Sequence, residues 1–500
     1  MQSVNKKQKK SNIENNENVA FETHGQRGPA QNLPAQSKND IDIALAKFFF
    51  GCNIPFKVVE SIHFKNLIAA LNPDYHLPGR KFLSNNLLDK VHKEIVNERK
   101  EHLKNSECVL LIDGWKNSAT NSKHVVCTVH NADYNRQFFI ESYDITGRSE
   151  NAELLLEVVN HSITLSKDLY NMNIFAIVSD NASPMISMGN KSNLWYSTCN
   201  SHSGNLLAKS LVDGEFANEV NALLKEFKNP GLQRDIINKG GSRMNLACET
   251  RWSSYRDSFN CALQNLNIMR NVASTASYPI KEKVLELLQD QEFESKLKQY
   301  IEIFNPVCTL INRCQTSTCN VADATQLWLT LEIPSTDEFH EHLLKERLKN
   351  AVRPIGMAAN LVHPSYRGEK LSAEQLKQAL QFLSKELNQK GINELDIYLN
   401  KTGIFSKLFE KEIADPYVFW AMCERRVPNI SALAKKLLKI PASSVELERL
   451  FSNWSYVYTF LRNRLLNKKS KKLVDIYYTL KTMEKHSELC RNNVFLDPFD

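Results

Sequence analysis

The 500-residue chain contains no Cys-x-x-Cys pair, which removes the usual seed of a zinc ribbon or finger. Its eleven cysteines are scattered without a regular framework, so reduced thiols in a cytosolic or nuclear protein are expected rather than a disulfide scaffold. The tightest group, Cys308, Cys314 and Cys319, reads as small buried residues of a helical region. No stretch approaches the ~20 apolar residues of a membrane-crossing helix, and the N-terminus lacks a charged segment followed by an apolar core. The expectation is a soluble intracellular chain with no membrane partner. No repeat period is visible. What is present is apolar content of 42% and a formal charge of +7, enough for two or three domains and compatible with an acidic partner such as nucleic acid.

Residues 1–38 are rich in Asn, Gln, Lys and Ser, a composition that cannot offset its ordering entropy and predicts a disordered tail. Within it, Lys6 to Lys10 read "KKQKK", either a nuclear-import patch or a solvated tail. Residues 39–105 carry apolar positions at helical spacing, interrupted at Gly51 and Pro55, and predict a small helical unit. From Val109 the pattern changes. "VLLID", "HVVCTVH" and "QFFIESYDI" read as strands, "NAELLLEVVNHSITLSKDL" as a helix, and "IFAIVSDN" as a fourth strand, giving β-β-β-α-β. "LWYSTCNSH" adds a short fifth run before a helix in "SGNLLAKSLV". Between 255 and 426 long amphipathic segments dominate, predicting an all-helical insertion, and 427–485 closes the chain with helices ahead of a 486–500 tail.

The strand "VLLID" is expected to stop at Asp113, and the fourth run ends at Asp180. In this arrangement the first and fourth strands can lie side by side with the two carboxylates together. Such a pair repels unless a hard divalent cation neutralises it, which suits Mg²⁺ or Mn²⁺. The alternative is two unrelated acids serving as caps or turn contacts. Cys199 and His202 form a C-x-x-H that lacks two further nearby ligands, so zinc is not expected. Trp115 reads as a packing residue.

Five motifs, "CVLLIDGW", "IVSDNASPM", "CNSHSGNLLAKSL", "ETRWSS" and "PASSVELERLFS" followed by "LRNRL", resemble in that order the successive motifs of the hAT superfamily of DNA transposases. The resemblance implies an α/β, ribonuclease-H-like core in 106–254, interrupted by the helical insertion of 255–426 and completed by a C-terminal dimerisation region in 427–485. It supplies a third acid, Glu448, and with it cleavage and strand transfer of DNA through Asp113, Asp180 and Glu448 holding two Mg²⁺ or Mn²⁺ ions. It places Cys199 and His202 beside the active site and Trp252 where an aromatic ring stacks on a flipped base. A homodimer or larger oligomer is expected, because the leucines, tyrosines, Phe451 and Trp454 of the C-terminal region exceed what one surface helix should expose. DNA contacts are expected from Trp252, Arg462, Arg464, Lys468 and Lys469, and the nucleus is the expected location. One departure stands out: many members begin with a BED-type zinc finger, whereas the first cysteine here is Cys52. A domesticated, catalytically inactive DNA-binding dimer is therefore the alternative.

Overall fold

The structure, a computed structural model, describes residues 37–117, 121–248, 253–275, 278–334, 338–411, 415–457 and 467–494. Two helices of the N-terminal unit, α1 (Lys38–Gly51) and α2 (Leu88–Leu103), precede strands β1 (Glu107–Asn117), β2 (Ser122–Asn131) and β3 (Arg136–Asp144). Helix α3 (Ala152–Tyr170) then leads to β4 (Asn173–Ser179) and β5 (Trp195–Thr198), followed by α4 (Asn200–Leu211). The sheet order is β3-β2-β1-β4-β5. The first three strands form an antiparallel meander, and β4 and β5 run parallel to β1. A parallel neighbour needs a crossover, which α3 provides. That helix starts where the Asn151 side chain accepts from the Leu154 amide at 2.9 Å and ends at Asn171 in the left-handed region, φ 50°.

The apolar runs are continuous rather than alternating because both faces of the sheet are covered. Cys108, Leu110 and Ile112 of β1 pack with Leu155, Val158 and Val159 of α3 on one side. Val109 and Leu111 join the larger helical core on the other. Among the described residues from 200 onward the chain is helical apart from connections and an isolated bridge between Asn320 and Pro441. Its apolar stripes close around fully buried Trp328, Phe405 and Trp420. Three later helices position the functional groups: α5 (Gln291–Cys314), α6 (Val445–Val457) and α7 (Asn467–Val494).

Gly204 shows why a glycine stands in "SHSGNLL". Helix α4 packs on α5 so closely that a Cβ at Gly204 would lie 2.7 Å from Ile311 Cγ1 and 3.0 Å from Leu310 Cδ2. We predict that Gly204→Ala lowers stability by about 1–3 kcal/mol through this overpacking, read as a fall in the denaturation midpoint; an unchanged midpoint would contradict the close approach.

The final helix returns to the beginning of the chain. Helix α7 packs on α1, α2 and β3, and Leu480 Cδ1 would lie 3.2 Å from a Cβ at Gly51. At the centre of this seam Arg99, Asp475 and His92 form a buried network. The Arg99 guanidinium donates to the Phe139 carbonyl at 2.6 Å and binds Asp475, whose other oxygen lies 3.2 Å from His92 Nε2.

One expectation about the C-terminal region requires correction. Phe451 and Trp454 are only 9% and 3% exposed, because they close on Trp115 within the same chain. They are core residues, so they supply no surplus apolar surface for a partner.

Candidate active site

Strand β1 does not stop at Asp113. It runs on to Asn117 in register with β2, whereas its pairing with β4 ends at Ile112 and Ser179. Asp113 and Asp180 are therefore the next residues on two neighbouring parallel strands, just where the hydrogen-bonded ladder between them gives out. Alternation puts Asp113 on the face of Leu111 and Trp115, toward α6.

Trp115 fixes that helix. It stacks on Phe451 at 6.1 Å and 12°, and lies 5.2 Å from Trp454. Asp113 is two residues before Trp115 on the strand, and Glu448 is three residues before Phe451 on the helix. The aromatic clasp thus carries the two acids toward each other. A second anchor holds the start of α6. The Ser444 amide donates to Cys199 Sγ at 3.4 Å, and the Asn200 amide and side-chain Nδ2 donate to the Ala442 carbonyl at 2.9 and 3.0 Å. Asn200 is held in turn by Trp328 Nε1 at 3.1 Å, and the Cys199 amide donates to Ser179 at 2.7 Å.

The electrostatics centre on Asp113. Burial, with the nearby charges of Asp180, Glu448 and Glu150, holds the Asp113 carboxyl well above the usual carboxylate range, against the Gly114 amide. Burial also raises Asp180, although the Ala182 amide, donating at 3.1 Å, and His202 oppose it. Burial pushes Glu448 up to about 7. Asp113 thus feels the charges of two acids that lie 67 and 335 residues further along the chain (180 − 113 and 448 − 113). Among the described residues, no three His, Cys, Asp or Glu side chains are already drawn together tightly enough to hold a metal ion.

Cys199 and His202 divide their roles. Burial pushes the Cys199 thiol up to about 11, so it stays neutral and accepts from the Ser444 amide. Burial lowers the pKa of His202, with Asp180 pulling the other way, so its imidazole faces Asp180 chiefly in the neutral form.

A fourth acid was not anticipated. Glu150 Oε1 would lie 3.1 Å from a Cβ at Gly114, and Glu150 pairs with Lys123 at 2.5 Å. Gly114 after the acid is the one sequence signal for this approach, since a side chain there would press on the carboxylate.

Of the expected DNA contacts, Trp252, Arg462 and Arg464 lie outside the described residues. Lys468 is exposed at the start of α7, while Lys469 bonds the Asn85 side chain. The neighbouring Lys471 and Lys472 pair with Glu141 and Asp89. Much of this basic run therefore ties α7 to the rest of the chain.

Two family descriptions match the sequence. A domain of unknown function, DUF659, matches residues 78–228, which span α2, the whole sheet and α4. The hAT family C-terminal dimerisation region matches residues 394–480, which include Glu448 and Asp475. No curated protein matches the chain significantly. A mixed five-stranded sheet with acids at adjacent strand ends, joined to this C-terminal region, defines a transposase-related protein. Over these two stretches the chain is similar to the hAT superfamily, and the dimerisation region indicates self-association. Among the described residues no helix is long and apolar enough to cross a membrane.

Proposed function

We propose that this transposase-derived protein is a DNA-cleaving and strand-transferring enzyme with a ribonuclease-H-like core, acting in the nucleus through Asp113, Asp180 and Glu448. The observation that carries the reading is that Asp113 feels the charges of both Asp180, at the end of the adjacent strand, and Glu448, on a helix far along the chain that the Trp115 clasp holds against β1. The sheet order, with a three-stranded meander and two parallel strands beyond it, supports the same core.

The donor set suits a hard divalent cation, since every group is a carboxylate oxygen, burial raises the pKa of all three, and Asp180 and Glu448 add to the rise at Asp113. Asp113, Asp180 and Glu448 would hold Mg²⁺ or Mn²⁺. When bound, such ions supply charge for the scissile phosphate and lower the pKa of an attacking water or 3′-hydroxyl. The residues themselves do the positioning. Strand β1, paired on both sides up to Ile112, fixes Asp113. The Ala182 amide orients Asp180. The Trp115 clasp and the Cys199–Ser444 contact fix the helix that bears Glu448. His202, neutral and beside Asp180, is placed to accept a proton or donate a hydrogen bond near the reacting phosphate. Trp252, Arg462, Arg464, Lys468 and Lys469 are proposed as DNA contacts.

The test is nicking of DNA by the full chain in the presence of Mg²⁺ or Mn²⁺, with Glu448→Gln beside the wild type. Cation-dependent nicking that falls more than about 100-fold in Glu448→Gln supports the reading, since losing a direct ligand should exceed the 10–100-fold typical of an outer-shell group. DNA binding by the wild type without any nicking would assign the inactive, DNA-binding dimer instead.

A further inference from the structure

Cys314 is the last residue of α5, whereas Cys319 stands in the connection that follows it and not in a helix. The chain folds back between them: the Thr316 amide donates to the Arg313 carbonyl at 3.1 Å, and the Cys319 amide donates to the Thr316 carbonyl at 3.3 Å. Both side chains thereby reach the wall of one cavity of about 570 Å³, and their thiols hydrogen-bond each other. Cys319 also lines a second cavity, of about 460 Å³.

Their surroundings make the two thiols unequal. Cys314 is 1% exposed and Cys319 9%. The hydrogen bond to Cys319 is the largest influence holding the Cys314 thiol well above its usual range, with burial next and the neighbouring Cys319, Cys199 and Asp323 adding to it. Cys314 therefore keeps its proton, and Cys319, which faces both cavities, is the thiol open to a small oxidant. The position of Cys319 gives its oxidation a consequence. Its carbonyl accepts from the Ala442 amide at 3.1 Å, and the Val321 amide donates to the Ile440 carbonyl at 2.9 Å. This two-bond clip seats the segment that leads through Ser444 into α6 and Glu448. Cys199, whose sulfur accepts from the Ser444 amide, acts on Cys314 from the other side.

We propose that Cys314 and Cys319 are a redox modification site, a dithiol that a peroxide converts to a reversible disulfide tying the end of α5 to the clip that seats α6. The Cys319 thiolate attacks one oxygen of hydrogen peroxide, the O–O bond breaks, and the departing hydroxide takes up the proton that Cys319 released, leaving a sulfenic acid and water. The Cys314 sulfur then attacks the Cys319 sulfur, the S–O bond breaks, and the hydroxide leaves with the Cys314 proton as a second water. Two thiols and one peroxide thus become one disulfide and two waters, and a thiol reductant restores the pair. The site needs neither a metal ion nor DNA.

The test is exposure of the reduced full chain to hydrogen peroxide, followed by alkylation of the remaining thiols, tryptic digestion and mass spectrometry. Arg313 precedes Cys314 and the next lysine or arginine is Lys345, so both thiols fall on one tryptic peptide, residues 314–345, which holds no other cysteine. After peroxide that peptide should be two hydrogens lighter and carry no alkyl group; after peroxide and then dithiothreitol it should carry two. In Cys314→Ala, which keeps an apolar side chain at the buried position, Cys319 should instead stop at the sulfenic acid and be trapped by dimedone. The wild-type result stands by itself if that variant fails to fold. Alkylation of both thiols after peroxide, over-oxidation of Cys319 beside an alkylated Cys314, or a disulfide from Cys314 to Cys199 would overturn the proposal.

Discussion

Asp475→Ala should lower the stability of the protein by about 3–5 kcal/mol, the size typical of breaking a buried ion pair from one side. The carboxylate and Arg99 are 1% and 4% exposed. Removing the acid leaves the buried Arg99 guanidinium with only the Phe139 carbonyl and Tyr170 as neutral partners among the described residues, and removes the acid facing His92. The loss should be read as the midpoint of chemical denaturation, followed by tryptophan fluorescence and by circular dichroism. A double variant, Arg99→Met with Asp475→Leu, should recover most of the loss, because apolar residues of similar volume often replace a buried pair without cost. The pH dependence has a definite sign. Burial works against the Asp475 charge, but Arg99 and His92 outweigh it and hold its pKa below the usual range. The stabilisation is therefore complete above about pH 4 and fades as the pH falls through the lowered value. A midpoint that does not move in Asp475→Ala would show that the seam contributes nothing.

Asp113→Asn should do the reverse to stability while abolishing function. The acids at the strand ends have raised pKa values in the folded chain. In the interval between about pH 4 and those raised values, the folded state keeps protons that the unfolded chain has released. Without a divalent cation, the contribution of these acids to stability is thus fully present below about pH 4 and is lost as the pH rises, by at most about 1.4 kcal/mol per pH unit for each group and less where water screens it. Asparagine removes one charge from the group. In EDTA its melting temperature should exceed that of the wild type by a margin that widens from pH 5 to pH 8, reaching about one degree, the equivalent of about 1 kcal/mol for a chain of this length. Nicking should fall more than about 100-fold in the same variant. A melting temperature equal to the wild type across this range would mean that the carboxylates do not crowd one another, and the proposed site would lose its physical basis.

The parts of this architecture that were legible in the sequence are those written in short local patterns. Apolar runs broken by Asp113 and Asp180 announced adjacent strands because both faces of the sheet are covered, so the run is uninterrupted until the ladder ends. The continuation of β1 to Asn117 was not legible, since the last four residues alternate in type and are held by pairing with β2 alone. Glu150 escaped because its approach to Gly114 depends on the path of the chain after β3. The C-terminal aromatics were misread as surface because their partner, Trp115, lies more than 300 residues earlier, and no periodicity within a helix reveals what covers it. The basic run near Lys469 was hidden for a related reason: a lysine's ion-pair partners, here Glu141 for Lys471 and Asp89 for Lys472, are set by helix docking.

The docking of the last helix onto the first also sets a timetable for the molecule's birth. Arg99 leaves the ribosome 376 residues before its partner Asp475. At roughly 5–20 residues per second, the interval is roughly 20–75 s. For most of it, the sheet lacks the helix bearing Glu448, and throughout it the seam has no Asp475 to satisfy its arginine. A nascent or prematurely terminated chain therefore presents an unfinished core to chaperones and proteases, and it cannot assemble the carboxylate group until its last fifty or so residues are free.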